Sequence, residues 1–198
     1  MAAASGRRAQ GRKGWRATGQ GECALRVLGI DPGIATCGYG VLERCGVAGT
    51  VRVVAYGAVR PKGPGDPRRL AALYDAIRTL LQRHTPDAAA VERLYHTRNV
   101  STATSVGQAR GVVLLALAQA GLEVGEYTPT EVKLAVVGYG GAEKAQMQAM
   151  VAAQLHLADP PRPDDAADAL GVGLCHLLGE GLRRSLATAG AARGGRNG

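Results

Sequence analysis

Asp31 closes the apolar run Leu25-Arg26-Val27-Leu28-Gly29-Ile30 and is followed at once by Pro32-Gly33. A strand that stops on a carboxylate and then turns sharply places its charge at the rim of a sheet, because charge within the strand would be costly to bury. Glu92 ends the run Ala88-Ala89-Ala90-Val91 in the same way, and Asp164, Asp165 and Asp168 open the last apolar helix. Together these acids read as a carboxylate cage. Oxygen-only ligands favour Mg²⁺ or Mn²⁺ over zinc or copper. Two such ions about 4 Å apart can clamp both oxygens of an in-line phosphoryl displacement. One would activate the attacking water and the other would stabilise the leaving alkoxide. Without metal, four close carboxylates would repel one another and raise each other's pKa.

Spacing leaves one choice open. Asp165 and Asp168 are three apart and share a helix face, but so do Asp164 and Asp168, four apart. Asp164 has a competing role, since it follows Pro163 and could cap the helix. Each acid taken alone also has an ordinary reading: an acidic helix start, a turn residue before Pro-Gly, the beginning of a loop.

The elements that must position these acids follow from periodicity. Residues 25–31, 36–43 and 50–60 read as three strands with short links, which favours an antiparallel meander. Asp66-Pro67 starts a helix with Leu70, Leu73, Ile77, Leu80 and Leu81 on one face, ending before Pro86. Strand four, 88–92, comes after this helical crossover and is expected to pair in parallel. A helix over 101–120, capped by Ser101 or Thr102, leads to strand five at 122–127. Thr130 is expected to cap a short helix through Val137. Helices at 142–157 and at about 164–179 complete the chain. The expected fold is α/β, a mixed five-stranded sheet flanked by helices. Strands one and four, if adjacent and parallel, deliver Asp31 and Glu92 to one edge, and a helix packed across that edge adds the last acids.

At 198 residues the chain suits one domain with an aliphatic core, for it has no Phe and a single Trp. Its net charge of +8 sits in the ends. Residues 1–24 carry five Arg or Lys against one Glu, and residues 181–198 carry four Arg and no acid, so 25–180 is neutral. Both ends read as disordered basic extensions around a folded body at 25–180. If metals neutralise four acids, that body becomes basic. Residues 93–122, with Arg93, Arg98 and Arg110 and no acid, then read as a phosphate-binding face or as a solvated basic one. Cys23, Cys37, Cys45 and Cys175 show neither CxxC spacing nor clustering with histidine, which argues against structural zinc and for a reducing cytoplasm. No apolar run approaches the roughly 20 residues that span a bilayer.

Five segments carry a resemblance to a known family: Leu28-Gly29-Ile30-Asp31-Pro32-Gly33 with Gly38-Tyr39-Gly40; Val91-Glu92-Arg93-Leu94-Tyr95; Gly107-Gln108-Ala109-Arg110-Gly111; Val136 through Lys144; and Asp165-Ala166-Ala167-Asp168-Ala169-Leu170. In order and spacing they resemble the RuvC family of bacterial Holliday-junction resolvases over about residues 25–180. The resemblance implies an RNase H-like fold, a homodimer, and Mg²⁺-dependent paired nicking of a four-way DNA junction in recombination and repair. It also implies cooperation with the RuvA–RuvB branch-migration complex. By resemblance the metal-binding catalytic acids are Asp31, Glu92, Asp165 and Asp168, with two ions per site. The same resemblance marks Tyr95 as a base-stacking aromatic and places Lys133, Lys144 and, more weakly, Arg98 and Arg110 on the DNA path, a structural ion pair being the other reading of Arg110. Residues 1–24 lie outside the pattern.

Three other readings compete. An actin-like or sugar-kinase ATPase shares a strand ending Gly-x-Asp but needs two such domains. An RNase H-like RNA-processing nuclease of the YqgF kind differs at the Asp-Ala-Ala-Asp pair and around Tyr95. A junction-binding module without cleavage would tolerate loss of an acid, and here all four are present.

Overall fold

A computed structural model of the protein describes residues 16–17, 23–45, 49–63, 66–93 and 100–194. In chain order the elements are β1 (Arg16–Ala17), β2 (Cys23–Asp31), β3 (Cys37–Cys45), β4 (Val51–Val59), α1 (Asp66–His84), β5 (Ala88–Glu92), α2 (Val100–Gln119), β6 (Glu123–Tyr127), α3 (Pro129–Val137), α4 (Lys144–Gln154) and α5 (Asp164–Gly194). The sheet runs β4-β3-β2-β5-β6. The β2–β3–β4 meander is antiparallel, and β5 and β6 pair in parallel with β2 and with each other. The mixed five-stranded sheet expected from the sequence is therefore present. A sixth strand joins it: β1, two residues long, pairs antiparallel with β2.

The period-two alternation of the strands sorts the core into two layers. Leu28, Ile30, Val41, Ala89 and Val91 face α1 and α2 and pack with Leu73, Ile77, Val113 and Leu117. Val27, Leu42, Ala88 and Ala90 face the other way, toward Val132, Val151, Leu170 and Leu174 of α3, α4 and α5. Asp31 and Glu92 keep step with Val27 and with Ala88 and Ala90, so both project on the α5 face.

Glycine sets how closely α5 approaches. A Cβ at Gly29 would lie 2.2 Å from the Ala169 carbonyl oxygen, and one at Gly38 would lie 1.9 Å from that of Asp165. At Gly40 it would meet the Leu170 side chain at 2.7 Å. At these three positions the helix thus rests on strand backbone, which is what glycine inside a strand permits.

Several boundaries differ from the sequence reading. Thr128, not Thr130, caps α3: its hydroxyl accepts from the Glu131 amide, and the Glu131 carboxylate accepts from the Thr128 amide. This reciprocal box outcompetes a cap two residues later, and Pro129 takes the first helical position. Because α2 begins at Val100, Ser101 and Thr102 lie inside it. The helix expected at 142–157 is shorter, Lys144–Gln154. The last helix does not end near 179 but continues to Gly194, through a stretch rich in Ala, Leu and Arg, which are good helix formers.

Inserting a side chain between α5 and β2 should be costly. Gly29→Ala is expected to lower the unfolding free energy by about 1–3 kcal/mol or more. Gly179→Ala, where a Cβ meets nothing within 4 Å, should raise it by about 0.5–1 kcal/mol. Urea denaturation of the two variants beside the parent checks both signs.

Candidate active site

Asp31 and Glu92 are brought together by strand register. Ile30 pairs with Val91 in the parallel β2–β5 ladder, so the next residue on each strand is one of the two acids. Both stand at the carboxyl ends of parallel strands, the edge where open α/β sheets place ligands. From above, α5 lays its first turns over this edge. Its start is fixed by the Asp165 backbone on Gly38, with the Pro163 carbonyl accepting from the Ala166 amide.

The electrostatics record the convergence. Burial, followed by repulsion from Asp168 and Asp165, raises the Asp31 carboxyl to about 6, against a hydrogen bond from Glu92 and the charge of Lys144. Glu92 is raised further, to about 8, by burial, by the Asp31 charge and by their hydrogen bond, with Asp168 adding to the effect. Burial also raises Asp168, although Lys144 pulls the other way.

Lys144 begins α4, and its Nζ lies 3.1 Å from Asp164 Oδ2 and 3.6 Å from Asp168 Oδ2. The hydrogen bond to Asp164 is the main reason its own pKa is raised. Sequence spacing does not separate Asp164 from Asp165, but the structure puts them in different company. Asp165 acts electrostatically on Asp31, whereas Asp164 is tied to Lys144 and Gln148 and its pKa is lowered.

The remaining expected contacts are more dispersed. Lys133 lies on α3, partly buried. Tyr95 and Arg98 fall outside the described residues. Arg110 is engaged in an ion pair with Glu126 of β6, which is a structural role. Two features escaped the sequence reading. One is the Asp164–Lys144 pair, whose members are twenty residues apart with no local pattern linking them. The other is the set of strand glycines under α5, for which glycine inside an apolar strand was the available signal.

The donor set suits a hard divalent cation: carboxylates alone, crowded enough that one must hold a proton in the absence of a stronger counter-charge. Among the described residues, no three candidate ligands are gathered closely enough to enclose an ion as they stand. Loss of the shared proton and a turn of the Lys144 side chain are what an ion would have to bring about.

The family described as crossover junction endodeoxyribonuclease RuvC matches residues 27–176. A protein of that name from Chloroflexus aggregans is 59% identical over 153 residues, covering 77% of this chain and 92% of the relative. One from Chloroflexus aurantiacus is 56% identical over the same share of each. Among solved structures, Thermus thermophilus RuvC in complex with a Holliday junction substrate superposes with a TM-score of 0.74 at 34% identity, covering 80% of this chain and 96% of that one. By this extent of sequence and structural similarity, the chain belongs to the RuvC family of crossover junction endodeoxyribonucleases.

Proposed function

We propose that the protein resolves four-way DNA junctions by paired, symmetric nicks that leave 5′-phosphate and 3′-hydroxyl ends, with Asp31, Glu92, Asp165 and Asp168 as its catalytic, metal-binding acids. The observation that carries this reading is the meeting of acids from β2, β5 and α5 at one rim of the sheet, within a chain of this family. Two Mg²⁺ ions, for which Mn²⁺ could substitute, would supply activation of the attacking water and neutralisation of charge at the scissile phosphate. Asp31 and Glu92 would hold the deep side of the site, and Asp165 and Asp168 the helix side. Lys144, already beside Asp168, is placed to turn its ammonium toward an incoming phosphate. Lys133, Tyr95 and Arg98 extend the DNA path in this reading, and cooperation with RuvA–RuvB in the cytoplasm belongs to it as well. Among the described residues no helix is long and apolar enough to cross a membrane.

Two symmetric cuts call for two related sites, hence a homodimer with two-fold symmetry. The outer face of α2 supports this. Gln108, Gly111, Leu115 and Ala118 recur at helical spacing, all exposed and all uncharged. Leu115 leaves 53% of its surface open, and the one charged residue of α2, Arg110, is spent on Glu126.

Asp31→Asn, Glu92→Gln, Asp165→Asn and Asp168→Asn are each expected to slow nicking of a mobile four-way junction by about two orders of magnitude or more, with junction binding retained in gel-shift assays. Cleavage of an RNA hairpin in place of the junction would favour the YqgF-like alternative.

Proton linkage offers a second check. Because the folded pKa values of Asp31 and Glu92 lie above ordinary carboxylate values, these two groups bind more protons in the folded metal-free protein than in the unfolded chain. Their contribution to its stability is present at low pH and is lost as pH rises from about 4 to about 8. Metal must displace the shared proton, so Mg²⁺ or Mn²⁺ affinity should rise across the same interval. Calorimetric titration in buffers of different ionisation enthalpy should register the released proton.

Leu115→Glu is expected to convert the dimer to monomer in light scattering and to uncouple the two nicks on one junction.

A further inference from the structure

Beside the acids lies an open cleft of about 420 Å³ between the turn Gly33–Thr36 and the α2 residues Ser105 and Val106, with Asp165 at its end. This volume falls in the range of about 300–1,000 Å³ typical of small-ligand sites. Ile34, Ala35 and Val106 give it apolar walls, and Thr36 and Ser105 contribute hydroxyls. Among the described residues that line it there is no lysine, arginine or histidine. Asp165 is committed to the acid cluster in the proposed function, and the rest of the described lining, apolar groups and hydroxyls, offers a phosphate no cation and suits the uncharged parts of a nucleotide. The walls suit the flat face of a base or a deoxyribose. Hydroxyls, which both donate and accept, can address any base edge.

The cleft is also firm. A Cβ at Gly33 would come within 2.3 Å of the Thr36 carbonyl oxygen, so the turn is closed tightly on itself. Behind it Cys37 is fully buried. At the far end, the Asp165 backbone is seated on Gly38. Asp165 belongs at once to the cleft and to the acid cluster, so an occupant of the cleft is joined to a phosphate at the acids by no more than the length of a nucleotide.

We propose that this cleft receives the base and sugar of a nucleotide flanking the scissile phosphodiester, and that Thr36 and Ser105 bias which base is accepted there. The inference rests on the nuclease reading and makes it more specific: sequence preference at the cut is set in part by this cleft.

The test uses the full-length protein and a panel of four-way junctions in which the base on either side of the cut is varied, with single-turnover rates measured in Mg²⁺. Thr36→Val and Ser105→Ala, which remove one hydroxyl each, should alter the ranking of bases at one flanking position by about 2- to 10-fold, as expected for the loss of one hydrogen bond. Ala35→Leu, which fills the cleft from an exposed position, should slow cleavage at least tenfold across the panel while junction binding persists. As a separate reading, 2-aminopurine at the flanking position should change its fluorescence on binding to the parent and much less with Ala35→Leu. Parental ranking and rates in all three variants, or an unchanged 2-aminopurine signal in Ala35→Leu, would overturn the assignment. If the parent binds the junction panel but nicks none of it, the nuclease reading itself fails; if it nicks without base preference at either flank, only the cleft assignment fails.

Discussion

The site depends on the contact between α5 and the bare backbone of β2 and β3. A helix packed on a sheet is ordinarily held off by the side chains between them, whose bulk sets the distance. Here Gly29, Gly38 and Gly40 remove the side chains that would set such a distance, and the Ala169 and Asp165 carbonyls sit where Cβ atoms would be. On the helix side Gly173 reciprocates, leaving room for Leu42. Moving α5 outward by the thickness of a methyl group would carry Asp165 and Asp168 away from Asp31 and Glu92. The acids then would no longer share one site, although every strand and helix could persist. Close packing is in this sense the first condition for chemistry, ahead of the acids themselves.

A second carboxylate shows what the rim acids lack. Glu43 is 4% exposed on β3, and burial alone would raise its pKa. Hydrogen bonds from Arg26 and Arg52, its lateral neighbours on β2 and β4, outweigh burial and lower it. Arg26 reaches further, donating to the His84 carbonyl at the end of α1. Glu43 is therefore neutralised within the fold and serves to fasten three strands and a helix. At the rim the balance has the opposite sign: Asp31, Glu92 and Asp168 are all raised, and the nearby cation, Lys144, is divided between Asp164 and Asp168. Negative charge left under-compensated at a ligand edge is a state that a bound cation relieves, and the fold holds it in place through backbone packing that does not depend on the charges.

Much of this was legible in the sequence for a physical reason. Asp31 and Glu92 end apolar runs, and strand alternation together with a helical crossover between them is enough to put them side by side on one face. The meander and the parallel pairs follow from link length. What was not legible depended on tertiary contacts. The choice between Asp164 and Asp165 needs the rotation of α5 about its axis, which is set by Gly38 and Gly40 and not by the spacing of the acids. The partner of Lys144 lies on another helix. The true cap of α3, Thr128, was obscured because Thr130 is an equally good capping residue by type, and the Glu131 that completes the box favours only one of them. The full length of α5 was hidden because its last part is a Gly-, Ala- and Arg-containing stretch with no apolar periodicity to mark it.

The two layers of the domain divide the labour, and α2 connects them. On the opposite face of the sheet from α5, α2 is held by Val113 and Leu117 against the strand core. Its second turn brings Ser105 and Val106 to the cleft beside Asp165, and its outer face carries the uncharged stripe through Leu115. A helix that lines the proposed cleft on one side and, in the proposed dimer, meets a second copy on another would tie the position of each cleft to the dimer axis. In the proposed dimer, the separation of the two cut phosphates is then set by rigid elements, α2 and the sheet it packs on. If the proposed dimer forms, that separation would favour a substrate whose two equivalent phosphates lie at the same distance and orientation as the two sites.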